Sequence, residues 1–429
     1  MKRSLLCMSL FALTGAVLAQ VPDWPDEERE GVVVNYTEAK VGRFTLPDPL
    51  RLNDGRPVTD AETWFAQRRP EILRLFETHQ FGKAPAAPDG ITFDVTDAGT
   101  PAFDGKALRR QVTVYLSGSK NGPAMDLLIY LPAAARGPVP LLLHVGFTAN
   151  NTLVRDPGVK RGAIWNRDGV REPAPDSSRF GQLRVLPFVE AGIGVATVYY
   201  GDIEPDFAAG LPHGIRQTFL RPGEQLAPDA WGAIAAWAWG LSRAMDYVET
   251  DAGIDAERVA LIGVSRLGKT VLWTAAQDPR FAAVIASCSG EGGAALSRRN
   301  YGETIKLITL PQRFGYQFAG NYARYGDDPG QSPVDAHMLV SLVAPRPVLL
   351  QTGTTDKWSD PVGEFEAAVA AEPVFELLGE KGLGTTTMPP AQTPIFHTIG
   401  YYMHEGGHGT QPDDWDQYLA FLQQHLLRD

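Results

Sequence analysis

Two hydrophobic rhythms divide the chain. Between 91 and 132 apolar and polar residues alternate, as in ITFDVTD, ALRRQVTVYL and MDLLIYLP. That period predicts antiparallel strands with one face in water. From 139 the apolar runs become almost continuous: VPLLLHVGF, GIGVATVYY (192–200), RVALIGVS (258–265), AAVIASCSG (282–290) and RPVLLQTGTTD (346–356). Runs of this kind belong to strands buried on both faces. Helical spacing appears between them, most plainly in DAWGAIAAWAWGLSRAMDYVE (229–249). A further amphipathic helix is expected over 59–82, behind a Thr-Asp cap. Strand and helix in alternation predict an α/β chain, a mostly parallel sheet between helix layers with antiparallel strands on its N-terminal side.

Three stretches break the rhythm. Residues 20–40 are polar and acidic and read as a mobile leading segment. Residues 148–185 and 379–394 are rich in turn formers and have little periodicity. Long irregular segments after strand ends are where a binding rim is built. The first 19 residues are different again. Lys2 and Arg3 precede an apolar run from Leu5 to Leu18, and Ala19 supplies a small residue before a cut, the pattern of a secretory signal. The run is too short to span a bilayer comfortably. The expected organisation is therefore a signal peptide (1–19) and one catalytic domain (20–429) with insertions near 148–185 and 379–394, exported to the periplasm or medium.

Composition narrows the partners. The 429 residues, 44% hydrophobic and 21% charged, suffice for one large soluble domain with its own core. A net charge of -11 speaks against nucleic acid and against anionic membranes, both of which need clustered Lys and Arg. Cys7 falls in the signal, so Cys288 has no partner for an intrachain disulfide after cleavage. Cys288 reads as a small buried hydrophobe at a strand end. No HExxH and no His/Asp cluster with ligand spacing is found, so neither metal nor cofactor is expected.

The chemistry lies in RVALIGVSRLGKTVLW. A buried strand runs into Gly263-Val264-Ser265, and a helix follows. This is the pattern of a nucleophile elbow, which lifts a serine hydroxyl above the sheet. The next backbone N–H, that of Arg266, then faces a developing oxyanion. The second Gly of the usual Gly-x-Ser-x-Gly comes one place late, at 268, with Leu267 in its place. The alternative is an ordinary strand-to-helix turn in which Ser265 only caps the helix. A hydroxyl needs a base. His408, in HEGGHGT before the last helix, comes after the serine and the acid in the chain order of α/β-hydrolases, with His404 as competitor. Two carboxylates compete to orient it: Asp356 after one strand and Glu291 after the preceding one.

These residues carry a family resemblance. Gly263 to Lys269 resembles the Gly-x-Ser-Arg-x-Gly-Lys signature of the glucuronoyl esterases, carbohydrate esterase family 15, with Val264 where that family more often has Cys. SCSGEGGAALSRRNYGE (287–303) is similar to its acid-bearing segment, TTDKWSDP (354–361) to its Trp-bearing one and GGHGT (406–410) to its His segment. The resemblance implies an α/β-hydrolase fold, a three-layer αβα sandwich, and cleavage of (4-O-methyl-)glucuronoyl esters that join glucuronoxylan to lignin alcohols. It implies Ser265 as nucleophile, His408 as base, Glu291 as acid with Asp356 as the alternative seen in some bacterial members, and Arg266 at the oxyanion. Lys269, Glu303 and Trp358 match positions that contact the sugar, Trp358 by stacking. A monomer is expected. Two other readings stay open on the sequence: a sugar acetyl esterase on the same fold, and a non-catalytic carbohydrate-binding relative.

Overall fold

The computed structural model describes residues 21–88, 90–166 and 168–427; the expected signal peptide lies outside them. The strands are β1 (Glu27–Arg29), β2 (Val32–Val34), β3 (Thr92–Ala102), β4 (Ala107–Tyr115), β5 (Ala124–Pro132), β6 (Val139–Gly146), β7 (Ala163–Trp165), β8 (Arg171–Pro173), β9 (Gly194–Tyr199), β10 (Ile254–Val264), β11 (Ala283–Ser287), β12 (Val348–Gly353), β13 (Ile395–Phe396) and β14 (Ile399–His404). Among the described residues, ten of them form one sheet in the order β13-β14-β12-β11-β10-β6-β9-β5-β4-β3.

Both rhythms of the sequence are visible in that order. The five continuous apolar runs became the parallel centre, β9, β6, β10, β11 and β12, which β14, a strand the runs did not announce, extends in parallel. The alternating stretch became β3, β4 and β5, all antiparallel. Successive residues of a central strand serve opposite faces. On β6, Leu141 and Leu143 join one core and Leu142 the other. The larger core is covered by α1 (Ala233–Val248), α2 (Arg266–Gln277) and α3 (Pro361–Leu377), and the smaller by α4 (Asp414–Leu426) and a short helix at Val185–Glu190. This is the three-layer α/β-hydrolase sandwich. The helix expected over 59–82 runs over 61–81 and alternates α and π turns.

The leading segment departs from expectation. It is a docked hairpin, with β1 antiparallel to β2 and Tyr36 fully buried behind it. Its contacts are with residues far along the chain, so periodicity within 20–40 carries no trace of them. The 148–185 insertion holds the β7–β8 hairpin. No helix of the described residues is long and apolar enough to cross a membrane.

Candidate active site

Parallel strands deliver their C-terminal ends to one edge of the sheet, and the candidate residues follow those ends. Ser265 comes directly after β10. Its φ of 59 and ψ of -129 are those of a strained turn, and its N–H donates to Ser287 O at 2.8 Å. Its hydroxyl makes no capping bond to α2, which removes the capping alternative. The flanking glycines are explained by space. A Cβ at Gly263 would lie 2.3 Å from Leu267 O, and one at Gly268 would meet Ser287 O and the Ser289 Cβ at 3.0 Å. Leu267 itself points into the core and is fully buried. The close approach thus falls at 268, which accounts for the shifted second glycine.

The imidazole is held by Asp356. His408 Nδ1 lies 2.8 Å from Asp356 Oδ2 and 3.0 Å from Ser359 Oγ. Burial raises the Asp356 carboxyl, but the bond to His408 and its charge, with the bonds to Ser359 and Cys288, together outweigh it and hold the group below its ordinary value. Asp356 is therefore an anion beneath a half-exposed imidazole, and Nε2 is the nitrogen left for a proton. Ser265 Oγ forms no hydrogen bond among the described residues; base and nucleophile commonly close up only around a substrate.

Glu291, the other acid considered, is turned elsewhere. It accepts from Ser297 Oγ at 2.7 Å and Tyr322 Oη at 2.5 Å, and no bond of the described residues joins it to His408. Burial pushes its pKa up to about 8, against the pull of those two hydroxyls. A carboxyl kept neutral in the core does not stabilise an imidazolium. The residue of that loop beside the histidine is Cys288. Its Sγ, an Asp356 oxygen and a His408 nitrogen lie within 4.8 Å of one another, and burial holds the thiol far above its ordinary pKa. His404 is buried, with Nδ1 on Asp414 at 2.8 Å and Nε2 on Gly407 O at 2.8 Å. Both nitrogens are spent on shaping the loop that presents His408.

Arg266 has a cradle that the sequence did not reveal. Its guanidinium pairs with Asp206, and the rings of Phe147 and Phe314 lie 5.8 and 4.9 Å from it. Asp206 also accepts from Tyr200 (2.8 Å), Tyr316 (2.7 Å) and Gln317 (2.7 Å). Burial opposes the charge on Arg266, and Asp206 together with Tyr200 and Tyr316 more than offsets this, so its pKa is raised. Asp206 sits in an unremarkable loop 60 positions away, which left no signal to find.

The three residues matched to sugar contacts form one unit. Lys269 Nζ donates to Glu303 Oε2 at 2.9 Å, and Trp358 Nε1 donates to Glu303 Oε1 at 3.1 Å. Lys269 is buried rather than a surface lysine. Trp358 does not offer a bare face, because the guanidiniums of Arg29 and Arg313 lie over its ring at 4.6 and 5.3 Å. The HVGF loop places Phe147 against Arg266, Phe180 and Tyr200, while His144 is buried on Thr197 and pushed down to about 4 by burial.

Comparison with known proteins decides the family. "Carbohydrate esterase MZ0003", from an unknown prokaryotic organism, is 43% identical over 416 residues, covering 94% of this chain and 95% of the relative. The chain belongs to carbohydrate esterase family 15, the glucuronoyl esterases. A family model described as "Glucuronyl esterase, fungi" matches residues 226–379, the part that carries the elbow, Glu303 and Asp356. A structure of the glucuronoyl esterase from Solibacter usitatus superposes with a TM-score of 0.85 at 46% identity, over 90% of this chain and 100% of that one. A promiscuous family 15 esterase from a marine bacterial metagenome gives 0.84 at 42%, over 91% and 100%. The 4-O-methyl-glucuronoyl methylesterase of Schizophyllum commune is 28% identical, over 87% of this chain and 82% of its own length.

Proposed function

We propose that this family 15 esterase hydrolyses glucuronoyl esters through an acyl-enzyme on Ser265, with His408 as base and Asp356 as the acid that orients it. Ser265 Oγ adds to the ester carbonyl and gives its proton to His408 Nε2. The oxyanion that forms is met by the Arg266 N–H and guanidinium, donors already in place. The C–O bond to the alcohol then breaks, and the alcohol leaves with the proton from His408. Water, deprotonated by the same imidazole, frees the uronate and restores Ser265. Asp356 stays ionised throughout and holds Nδ1–H.

The observation that carries the sugar specificity is the Lys269–Glu303–Trp358 unit, its Lys and Glu buried and its Trp half-buried, which begins one helical turn past the nucleophile. Esterolysis alone requires no such unit, whereas a polyol ring offers hydroxyls for its donors and acceptors. Within this reading the alcohol is a lignin alcohol, the polysaccharide is glucuronoxylan, and the protein works as an exported monomer without cofactor or metal. The export reading rests on residues 1–19, and a polymeric plant substrate is met outside the cell. The test is release of benzyl alcohol from benzyl glucuronate by wild type and by Ser265→Ala, beside acetylated xylan. Release by wild type alone supports the assignment; deacetylation without it moves the activity to acetyl esters.

A further inference from the structure

The hairpin at the start of the described chain makes its contacts on the two segments that build the sugar unit. Asn35 Nδ2 donates to Asn300 O at 2.6 Å, and Gly302 N donates to Asn35 O at 2.9 Å. Tyr36 meets Tyr301 edge to face at 6.1 Å, and Lys357 Nζ lies 4.3 Å from the Tyr36 ring. Glu27 accepts from Lys357 and, at 2.8 Å, from Arg29. Arg29 in turn covers Trp358. Arg313, the second guanidinium over that ring, donates to Glu30 at 3.1 Å. The two segments thus clasped, 299–303 and 357–358, also bind each other through Glu303 N to Trp358 O at 2.8 Å.

From this convergence we infer that β1–β2 is a working part of the site, a strap that fixes the Trp358–Glu303–Lys269 unit in the position a uronate ring requires. Arg29 is its main positioning residue. The inference rests on the glucuronoyl reading above. The physical reasoning is one of preorganisation. Trp358 holds Glu303 through its N–H, and its ring is steadied by Arg29 of the strap and by Arg313, which Glu30 of the strap holds. With the strap loosened, the ring and its carboxylate sample other rotamers, and binding the sugar must then include the cost of ordering them. The nucleophile, its base and Arg266 have none of these contacts, so ester cleavage as such is left intact. A purely structural hairpin would affect every substrate alike.

The test compares two esters on the full chain: benzyl glucuronate, and 4-nitrophenyl acetate, which has no sugar. In Glu27→Gln/Arg29→Ala the KM for benzyl glucuronate is expected to rise about tenfold, a loss of about 1.4 kcal/mol, with kcat within about twofold. The kcat/KM for 4-nitrophenyl acetate should stay within about twofold of wild type. Arg29→Met, which leaves the backbone pairing of the hairpin and the Glu27–Lys357 bond in place, should shift the same KM by about threefold and serves if the double variant does not fold. An unchanged KM, or an equal loss on both esters, overturns the strap's role. A wild type that cleaves the acetate but not the glucuronate overturns the underlying reading instead.

Discussion

At the scale of single residues the acid is the sharpest point. Asp356 touches His408, and Glu291 does not. Asp356→Asn is expected to lower kcat by about 10⁴-fold, since the amide no longer holds the productive tautomer. Glu291→Gln should retain kcat within a few-fold, and steady-state kinetics on one ester decides between them. Glu291 has its own signature in stability. Its folded pKa is raised to about 8, so the protonated form is the one the fold favours. That contribution is complete below the ordinary carboxylate pKa and is lost as pH rises through about 8. Melting curves of Glu291→Gln should therefore fall less than wild type across that window. Asp206 is the third residue to test. Asp206→Asn leaves Arg266 in place without its counter-ion, and kcat should drop about ten- to a hundredfold with little change in KM, less than removal of an oxyanion donor outright. The sequence led to Ser265 through the elbow and to His408 through the chain order, while the roles of the Arg266 side chain and of Lys269 came from the family resemblance. It left Glu291 and Asp356 unranked, because which carboxylate reaches an imidazole depends on loop paths.

Elements explain why those residues meet. The continuous apolar runs could be read as a parallel centre because burial on both faces leaves a mark in every residue of a strand. The elbow glycine was legible for a similar reason: Gly263 has no room for a Cβ against Leu267 O. Gly302 was not legible, although it is as constrained. Its φ is 62, and a Cβ there would meet Trp358 O at 2.6 Å and Lys357 O at 2.7 Å. Gly302→Ala is expected to cost about 1–3 kcal/mol in chemical denaturation and to weaken glucuronate binding by parting Glu303 from Trp358. The leading hairpin escaped the sequence for a physical reason. Its bonds reach partners 265 and 330 positions away, and a polar, acidic segment looks mobile until those partners are known.

For the whole molecule, Arg299 shows how the parts are tied. It is buried and binds Glu38 of the leading segment (2.7 Å), Asp360 at the N-cap of α3 (2.8 Å) and Glu366 of α3 (3.0 Å). Arg299→Met strands these carboxylates without a counter-charge. A loss of about 3–5 kcal/mol in equilibrium unfolding is expected, and a change below about 1 kcal/mol would contradict that reading. One buried guanidinium thus ties the leading segment to the first turn of α3 and, through the chain on either side of residue 299, to the segment that carries Glu303. An esterase built this way discriminates by the acyl group it holds. The most direct test is the ratio of kcat/KM for benzyl glucuronate to that for benzyl acetate, which share a leaving alcohol. Recognition of the uronate ring by Lys269, Glu303 and Trp358 predicts a ratio of at least about a hundredfold. A ratio near or below unity would mean that these residues do not read the sugar, and that the site serves esters of another kind.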